Sequence, residues 1–379
     1  MERKIKKAGV IGAGVMGATI AAQLANVGIE TILLDIVPPE LTDDDKKKGL
    51  TLESKGFRDK FAQKGLEGAL KSKPASFYVG ENARLITTGN LEDNVEWLNE
   101  VDWIIEVVVE RLDIKKVVFE KIESVLNPGT LITSNTSGIS AKAMCEGRSE
   151  NFRKYFAITH FFNPPRYMKL LEIVRGPDTL PEVIEILAET CEKVLGKGVV
   201  YAKDTPNFVG NRIGSYSMFS AIRAMMDLGL SIEAVDKLTG PVVGNPKSAS
   251  FRTADLVGLD TLLHVADNVY EGVPEDEQRD MFKAPDFIAK MVERGLLGEK
   301  TKQGFYKKGK DSEGKKVILS LDYNTLEYRP QEKVKMRSLE AAKNMSGTSE
   351  KIKSLYYAGD VAGQFAFRTL TETLVYSAA

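Results

Sequence analysis

The feature that most constrains this chain is a glycine-rich turn near its N-terminus, with the sequence GAGVMG at residues 12–17. Residues 6–11 before it are typical of a short buried strand, and residues 16–27 after it are typical of a helix. In such a unit the first glycine permits a tight turn, the second lets a ligand approach the backbone, and the third lets helix and strand pack closely. The glycines with these functions are Gly12, Gly14 and Gly17. The turn predicts an α/β fold that opens with a nucleotide-binding unit.

An acidic residue ends the next apolar run. Residues 30–35 are typical of a second strand, and Asp35 lies 18 residues after Gly17, close to the spacing of about 20 found in dinucleotide-binding turns. Its carboxylate would accept hydrogen bonds from an adenosine ribose and repel a 2′-phosphate, so we expect NAD rather than NADP. The N–H groups at the start of the helix would face the pyrophosphate. The plainer alternative is a glycine-rich turn that holds no ligand.

Strands and helices alternate further along the chain. The expected strands are residues 84–87, 103–108 and 130–134, and the expected helices are residues 91–98 and 112–126. Such alternation favours a doubly wound parallel sheet, a Rossmann-type α/β fold, in which ligands gather at the carboxyl ends of the strands. Glu110 and the turn at residues 134–137 occupy such ends.

A highly charged stretch interrupts this pattern between residues 38 and 74. Apolar residues recur in it at roughly helical spacing, which predicts a solvated helix that protrudes from the fold. Three of its lysines are candidates for contact with an anionic part of a ligand, namely Lys60, Lys64 and Lys71.

Composition excludes several classes of protein. The 379 residues, 43% of them hydrophobic, suffice for two domains with separate cores. The formal net charge of −1 gives no basic field for nucleic acid or an anionic membrane. The two cysteines, Cys145 and Cys191, lack the spacing of a disulfide framework or a metal site, which fits a reducing compartment. No run of 18 or more apolar residues predicts a membrane span, so a cytoplasmic location is expected.

One segment has the pattern of an acid–base site. Residues 155–159 are typical of a strand that leads to His160, the Pro164-Pro165 pair forces a turn, and residues 168–174 return as a strand that carries Glu172. A hairpin of this kind would bring the carboxylate to the imidazole, fix its tautomer and stabilise its protonated form. Such a pair can act as a general base for an alcohol proton. The alternative is a buried structural histidine with a carboxylate partner.

The chain has only one other histidine, His264, which lies in an apolar stretch of helical spacing. No partner motif lies near it, so we expect a structural role for it.

Together these motifs resemble the L-3-hydroxyacyl-CoA dehydrogenases of fatty-acid β-oxidation. The resemblance runs from about residue 6 to residue 306. Its motifs, in order, are GAGVMG (12–17), EVVVE (106–110), SNTS (134–137), HFFNP (160–164), MKLLE (168–172), KDTP (203–206), NR (211–212), VGLD (257–260) and KTKQGFY (300–306).

The resemblance implies a Rossmann-type NAD-binding domain over residues 1–202 and a mostly α-helical domain for substrate binding and dimerisation over residues 203–306. Helical spacing in the second part agrees with this. The expected helices there are residues 207–228, 232–237 and 260–271.

The resemblance also assigns roles to single residues. The catalytic pair of the family falls on His160 and Glu172, and its contacts to the substrate oxygen fall on Ser137 and Asn211. The matching cofactor contacts, besides the glycines, are Asp35, Glu110, Lys115 and Asn135. Structural alternatives stay open for three of these side chains: Ser137 as a helix cap, Asn211 as an anchor of an interdomain hinge, and Lys115 as a solvated helix residue.

The implied reaction is NAD-dependent oxidation of a 3-hydroxyacyl-CoA thioester to the 3-oxoacyl-CoA, in β-oxidation or short-chain acyl-CoA metabolism. The chain departs from the family at Asn207, where glycine is common, and at residues 245–252, which affects the expected acyl pocket and not the catalytic set. Two other functions stay open. One is a β-hydroxyacid dehydrogenase that acts on a free acid, although such enzymes typically use a catalytic lysine. The other is a nucleotide-binding protein without catalysis.

The C-terminal part suggests a further repeat. Residues 307–335 are charged and irregular and predict a linker, whereas residues 336–379 predict part of a second helical repeat. In the last run the apolar residues at helical spacing are Phe365, Leu370, Leu374 and Val375. The run has no stop signal before Ala379 and is similar to the start of the helical domain at residues 208–225. It therefore suggests the opening helix of a second repeat, as in multifunctional relatives that also carry an enoyl-CoA hydratase. The alternative is an ordinary C-terminal helix that docks on the first repeat. We expect the tail to pack on the first helical domain, within the chain or in a homodimer, and to add no residue to the hydride-transfer site.

Overall fold

The computed structural model describes residues 4–310 and 314–379. The chain forms two compact units, of which the first ends at Phe208 and the second begins at Val209. Within the described residues, no helix combines the length and apolar character that crossing a membrane requires.

The first unit is an α/β layer structure. Its strands are β1 (Lys7–Ile11), β2 (Glu30–Asp35), β3 (Ile86–Asn90), β4 (Trp103–Glu106), β5 (Leu131–Ser134), β6 (Phe156–Phe161), β7 (Leu170–Arg175) and β8 (Gly198–Ala202). Its α-helices are α1 (Val15–Asn26), α2 (Asp43–Lys47), α3 (Lys55–Arg58), α4 (Lys60–Lys71), α5 (Leu112–Ser124), α6 (Ala141–Cys145), α7 (Glu150–Tyr155) and α8 (Pro181–Glu189).

These strands form one sheet in the order β3-β2-β1-β4-β5-β6-β7-β8. The strands from β3 to β6 are parallel, and their central members are buried runs of apolar residues because helices cover both faces. The strand order reverses between β1 and β4, which is the switch point where doubly wound sheets bind ligands. The glycine-rich turn follows β1 at this point. The Rossmann-type prediction is confirmed.

Strand β7 runs antiparallel to β6, with His160 directly opposite Glu172 in the register. The predicted hairpin-like return is therefore present. Since β7 reverses direction, Glu172 near its start lies at the same edge of the sheet as His160 near the end of β6.

The second unit is mostly helical. Its helices are α9 (Gly210–Asp227), α10 (Ile232–Leu238), α11 (Phe251–Val257), α12 (Leu259–Gly272), α13 (Asp286–Glu293), α14 (Arg337–Lys343), α15 (Thr348–Tyr356) and α16 (Val361–Ala378). Its strands are β9 (Tyr306–Lys310), β10 (Lys316–Asp322) and β11 (Glu327–Pro330). One hydrophobic core contains residues from α9 to α13 together with Leu339, Leu355 and Phe365 of the tail.

The predicted boundary at residue 203 differs from the observed one at residue 209. The segment after β8 stays with the first unit because Asp204 accepts hydrogen bonds from the Ser140 hydroxyl at 2.7 Å and from the Ala141 backbone N–H at 2.8 Å. Phe208 is buried in the core of the first unit. These contacts depend on the packed sheet and have no local signature in the sequence.

The predicted linker at residues 307–335 is instead an antiparallel sheet in the order β11-β10-β9, with residues 311–313 outside the described part. Leu321 of β10 is fully buried in the core of the second unit, and Leu326 of the following turn is also buried. Exposed lysines on β9 and β10 gave the stretch its charged composition, although these strands also supply apolar side chains to the core.

The predicted helix at residues 91–98 is also absent; a short 3₁₀ turn covers Val95–Glu100 instead. The side chain of Asn90 accepts hydrogen bonds from the backbone N–H groups of Glu92 and Asp93, and Asn94 accepts one from Asn90 N–H. Such bonds from asparagine side chains to nearby backbone compete with helix formation.

The tail helix α16 packs on α9 within the second unit. Arg368 donates to Asp227 at the end of α9, Ser220 donates to Glu372 at 2.6 Å, and Tyr376 stacks on Tyr216 with ring centroids 3.9 Å apart. As α16 is followed from residue 368 to residue 376, its partners on α9 run back from residue 227 to residue 216. The two helices are therefore antiparallel. Of the four apolar positions predicted to pack, Phe365 is buried and Leu370 is half-buried, whereas Leu374 and Val375 are exposed.

Candidate functional site

The glycine-rich turn has the geometry that its sequence predicts. Gly12 has φ +100°, and a Cβ there would lie 2.6 Å from the carbonyl oxygen of Val107. A Cβ on Gly17 would collide with the carbonyl oxygen of Gly12, whereas one on Gly14 would meet nothing within 4 Å. The first and third glycines are thus required by packing, and the second leaves the backbone open to a ligand.

Asp35 stabilises the same turn. One carboxylate oxygen accepts the Ala13 N–H at 2.6 Å, and the other accepts the Ile36 N–H at 2.7 Å. No side chain caps the start of α1 at Gly14, so the N–H groups of the first helical turn are available to an anion. The arrangement fits a dinucleotide, with its pyrophosphate at the helix N-terminus and its ribose near Asp35.

Helix α4 covers this turn. A cleft of about 490 Å³ is bounded by Gly14, Asp35, Lys64 and Gly68, and Gly65 packs against the carbonyl oxygen of Ala13. Of the three candidate lysines, Lys64 lines the cleft. Lys60 is paired with Asp45, and Lys71 lies 3.4 Å from Glu67.

At the carboxyl end of β4, a buried lysine joins two carboxylates. The Lys115 ammonium, with a side chain only 1% exposed, donates to both oxygens of buried Glu106 at 2.8 and 3.0 Å and lies 3.5 Å from Glu110. Glu106 also accepts hydrogen bonds from the Ser134 hydroxyl at 2.5 Å and the Val108 N–H at 2.7 Å. Lys115 is therefore not a solvated helix residue. Its contact with a cofactor stays a prediction.

Glu110 and Asn135 shape the loop after β5. Glu110 accepts hydrogen bonds from the Thr136 hydroxyl at 2.5 Å and the Ser137 N–H at 2.8 Å, while Asn135 Oδ1 accepts the Phe161 N–H at 2.8 Å beside His160. Both side chains thus have structural bonds in addition to their predicted cofactor contacts.

Ser137 does not cap the next helix. That function belongs to Ser140, whose hydroxyl accepts the Ala143 N–H at the start of α6. The Ser137 side chain is half-exposed on the turn that Glu110 holds. The geometry leaves its hydroxyl available for a substrate oxygen, and that role stays a prediction.

His160 and Glu172 form a buried pair at the edge of the sheet. Nδ1 of His160 lies 2.7 Å from Oε2 of Glu172, and both side chains are almost fully excluded from solvent. The imidazole packs against Phe162 and Phe208, with ring centroids at 4.4 and 5.7 Å. No described residue forms a hydrogen bond with the other nitrogen, Nε2. The arrangement can present an oriented base to a ligand.

Family models match nearly the whole described structure up to residue 308. The NAD-binding domain of 3-hydroxyacyl-CoA dehydrogenase matches residues 7–205, and the C-terminal domain of 3-hydroxyacyl-CoA dehydrogenase matches residues 208–308. The chain belongs to the 3-hydroxyacyl-CoA dehydrogenase family. NAD is the cofactor of the matched NAD-binding domain at residues 7–205.

Relatives agree with this membership. A protein of Bacillus subtilis named "Probable 3-hydroxyacyl-CoA dehydrogenase" is 49% identical over 378 residues, which cover 100% of this chain and 47% of the relative. One of Deinococcus radiodurans with the same name is 48% identical over 82% of this chain and 85% of the relative. The crystal structure of FadB2 from M. tuberculosis matches with a TM-score of 0.64 and 29% identity, covering 80% of this chain and 99% of that one. The chain spans about half the length of the Bacillus subtilis relative.

Within this dehydrogenase fold, one buried residue was not expected from the sequence. Lys197 is 7% exposed, and its ammonium donates to the carbonyl oxygens of Pro165 and Met168, the latter at 2.8 Å. These carbonyls belong to the loop between β6 and β7, which connects His160 to Glu172. Burial lowers the pKa of Lys197. A lysine just before a strand gives no local signal of such a role.

The remaining predicted residues lie elsewhere. Asn211 is in the first turn of α9 in the second unit, next to Arg212, which is paired with Asp276. His264 is exposed and lies 3.1 Å from the Asn268 amide. Among the described residues, no three His, Cys, Asp or Glu side chains are grouped as a metal site would require.

Proposed function

We propose that this chain oxidises L-3-hydroxyacyl-CoA thioesters to 3-oxoacyl-CoA with NAD, in fatty-acid β-oxidation or short-chain acyl-CoA metabolism. The observation that carries the proposal is the buried His160–Glu172 pair at the carboxyl-end edge of a sheet whose switch point fits a dinucleotide. Family membership makes a β-hydroxyacid dehydrogenase of a related superfamily a poorer candidate.

The geometry of the pair supports the following proposed roles. With Glu172 accepting a hydrogen bond from Nδ1–H, the neutral imidazole keeps its lone pair on Nε2. Nε2 takes the proton of the substrate 3-hydroxyl, and Glu172 stabilises the imidazolium that forms. The glycine-rich turn and Asp35 would hold NAD, which would supply the acceptor for the hydride of C3. Ser137 and Asn211 would hold the reacting oxygen by hydrogen bonds.

The activity is tested by NADH formation with 3-hydroxybutyryl-CoA and with free 3-hydroxybutyrate. Turnover with the thioester alone supports the proposal. Turnover with the free acid would indicate the β-hydroxyacid alternative, and none with either would indicate a non-catalytic nucleotide-binding protein.

His160→Gln should lower turnover by about 10²-fold or more, because general acid–base catalysis contributes that much. NAD affinity should barely change. The matched control is His264→Gln, which alters the exposed histidine and should leave turnover intact. Near-normal turnover in His160→Gln would remove this residue from the mechanism.

For partners, we propose an acyl-CoA substrate and pairing of helical repeats within the chain. In this proposal α9 is the first helix of one repeat and α16 is the first helix of a second. A twofold axis between two such repeats would place these helices antiparallel, as they are packed here. A homodimer through the helical units, association with an enoyl-CoA hydratase and a cytoplasmic location are part of the same proposal.

A further inference from the structure

A cleft of about 410 Å³ in the second unit has five cationic side chains in its lining. We call it the basic cleft. Its cations come from α10, α11, α14, α15 and the loop before α11, and they are Lys237, Lys247, Arg252, Lys343 and Lys351. Its volume lies within the range of about 300–1,000 Å³ that small-molecule sites occupy.

Most of these cations have no acidic partner. Lys343 is paired with Glu340 at 2.7 Å, whereas the other four form no ion pair with the described residues. Arg252 and Lys351 are in addition half-buried. The Asp236 carboxylate interacts electrostatically with Arg252, whereas Lys351 forms no ion pair with the described residues. Partial burial of a charge without a counter-ion is unfavourable, so an anion in the cleft would be stabilised by Lys351.

Arg252 is held in place for such a contact. Its guanidinium lies over the Tyr306 ring at 4.3 Å from the centroid, and the Tyr306 hydroxyl donates to Asp236 at 2.7 Å. The stacking fixes the plane of the guanidinium and leaves its N–H groups without an acceptor among the described residues. A planar fork of this kind suits two oxygens of one phosphate.

The cleft also contains two acids, both engaged within the protein. Glu233 accepts hydrogen bonds from Arg329 at 2.7 Å and from Ser320 at 3.0 Å. Asp236 accepts the Tyr306 hydroxyl and the Phe251 N–H at 2.7 Å. With five cations against two acids, the lining keeps an excess of positive charge.

We propose that the basic cleft binds a ligand with two or more linked phosphate groups. The cations come from separate elements, so they suit a ligand whose negative charge is spread over several phosphates better than they suit a single small anion. Lys343 and Lys351 lie beyond the matched family domain, which ends at residue 308, so the ligand would join that domain to the tail. The proposal does not depend on the proposed dehydrogenase activity.

The test is calorimetric titration of the full chain with inorganic pyrophosphate. The double variant Lys247→Gln/Lys351→Gln removes two charges and leaves the Arg252–Tyr306 stack intact. It should weaken binding by about tenfold or more, because two cationic contacts to the phosphates are lost. The control Lys47→Gln/Lys48→Gln removes the same charge from exposed positions at the end of α2 and should leave the affinity unchanged. Any binding of pyrophosphate at the glycine-rich turn should be the same in all variants. Differences in affinity between the variants therefore report on the basic cleft.

Two further arms use ADP and orthophosphate. We expect ADP to bind as pyrophosphate does and orthophosphate to bind more weakly. The proposal is overturned if both double variants bind pyrophosphate with equal affinity. Binding would then depend on the overall charge of the protein and not on the basic cleft. Equal affinity for orthophosphate and pyrophosphate, or no measurable binding by the wild type, would overturn it as well.

Discussion

The two buried lysines of the first unit, Lys115 and Lys197, are stabilised in different ways. Lys115 has carboxylate partners, so its charge is balanced. Lys197 is bonded to backbone carbonyl oxygens and lies 5.8 Å from the centroid of the Phe161 ring. Its ammonium thus stabilises the loop that connects His160 to Glu172, and replacing Lys197 should reveal that function.

Lys197→Met should lower kcat more than it raises KM, since the loop that sets the His160–Glu172 geometry loses two bonds of about 1.5–3 kcal/mol each. Steady-state kinetics and denaturant unfolding check this. The kcat of Lys197→Gln, which keeps an N–H donor group, should fall between the kcat of Lys197→Met and that of the wild type. Unchanged kcat in Lys197→Met would exclude the positioning role.

The same variant has a pH signature. Because burial lowers the pKa of Lys197 below its ordinary 10.5, the folded state binds its proton less tightly than the unfolded state. This unfavourable contribution is fully present below the folded pKa and is relieved as pH rises towards 10.5. As the pH rises into the alkaline range, the free energy of unfolding of the wild type should therefore increase relative to that of Lys197→Met.

We expect Asp35 to set cofactor preference by its charge, and its carboxylate also accepts the Ala13 N–H. Asp35→Ala should lose discrimination against NADP by about tenfold or more, as expected when a charged contact is removed. Asp35→Asn keeps an acceptor for the Ala13 N–H, so it should lose the same discrimination with a smaller loss of NAD affinity. The ratio of kcat/KM for NAD and NADP is the measurement. A wild type that uses NADP equally well would show that Asp35 does not face the ribose.

At the scale of elements, α16 completes the core around α9. Tyr376 donates to Asp276 at 2.7 Å and accepts a hydrogen bond from Arg212 at 2.7 Å. Arg212 follows Asn211 in the first turn of α9, so the tail braces the turn that carries a predicted substrate contact. The tail adds stability to this turn from outside the matched family domain.

Phe365→Ala should cost about 3–5 kcal/mol, as for a buried phenylalanine, whereas Phe367→Ala, with 51% exposure, should change stability little. Thermal unfolding measures both. Deletion of residues 336–379 should lower the melting temperature or alter sedimentation while NAD affinity stays intact, since the NAD-binding domain is the other unit. Unchanged melting and sedimentation in the deletion variant would contradict the packing role.

At the scale of the whole molecule, the two units have separate cores. The boundary between them, after Phe208, lies within one residue of the start of the second matched family domain at residue 208. The first unit carries the dinucleotide turn and the His160–Glu172 pair, and the second carries Asn211 and the tail. Stability and cofactor binding are therefore expected to respond to different mutations.

The sequence by itself determined the features that depend on local geometry. A glycine-rich turn between strand and helix requires particular backbone conformations, and a hairpin brings His160 opposite Glu172, 12 residues further along the chain. Both were predictable because the interacting residues are close along the chain.

Only the tertiary structure decided which long side chains meet and which segments join a core. Lys197 contacts carbonyl groups about 30 residues away, and β10 becomes a core strand because the second unit offers a surface that buries Leu321. Composition could not reveal either, since a lysine or a charged strand has the same local pattern whether it is solvated or buried. Its partners are fixed only when distant segments pack, because the burial of charge and apolar surface is a property of the assembled core.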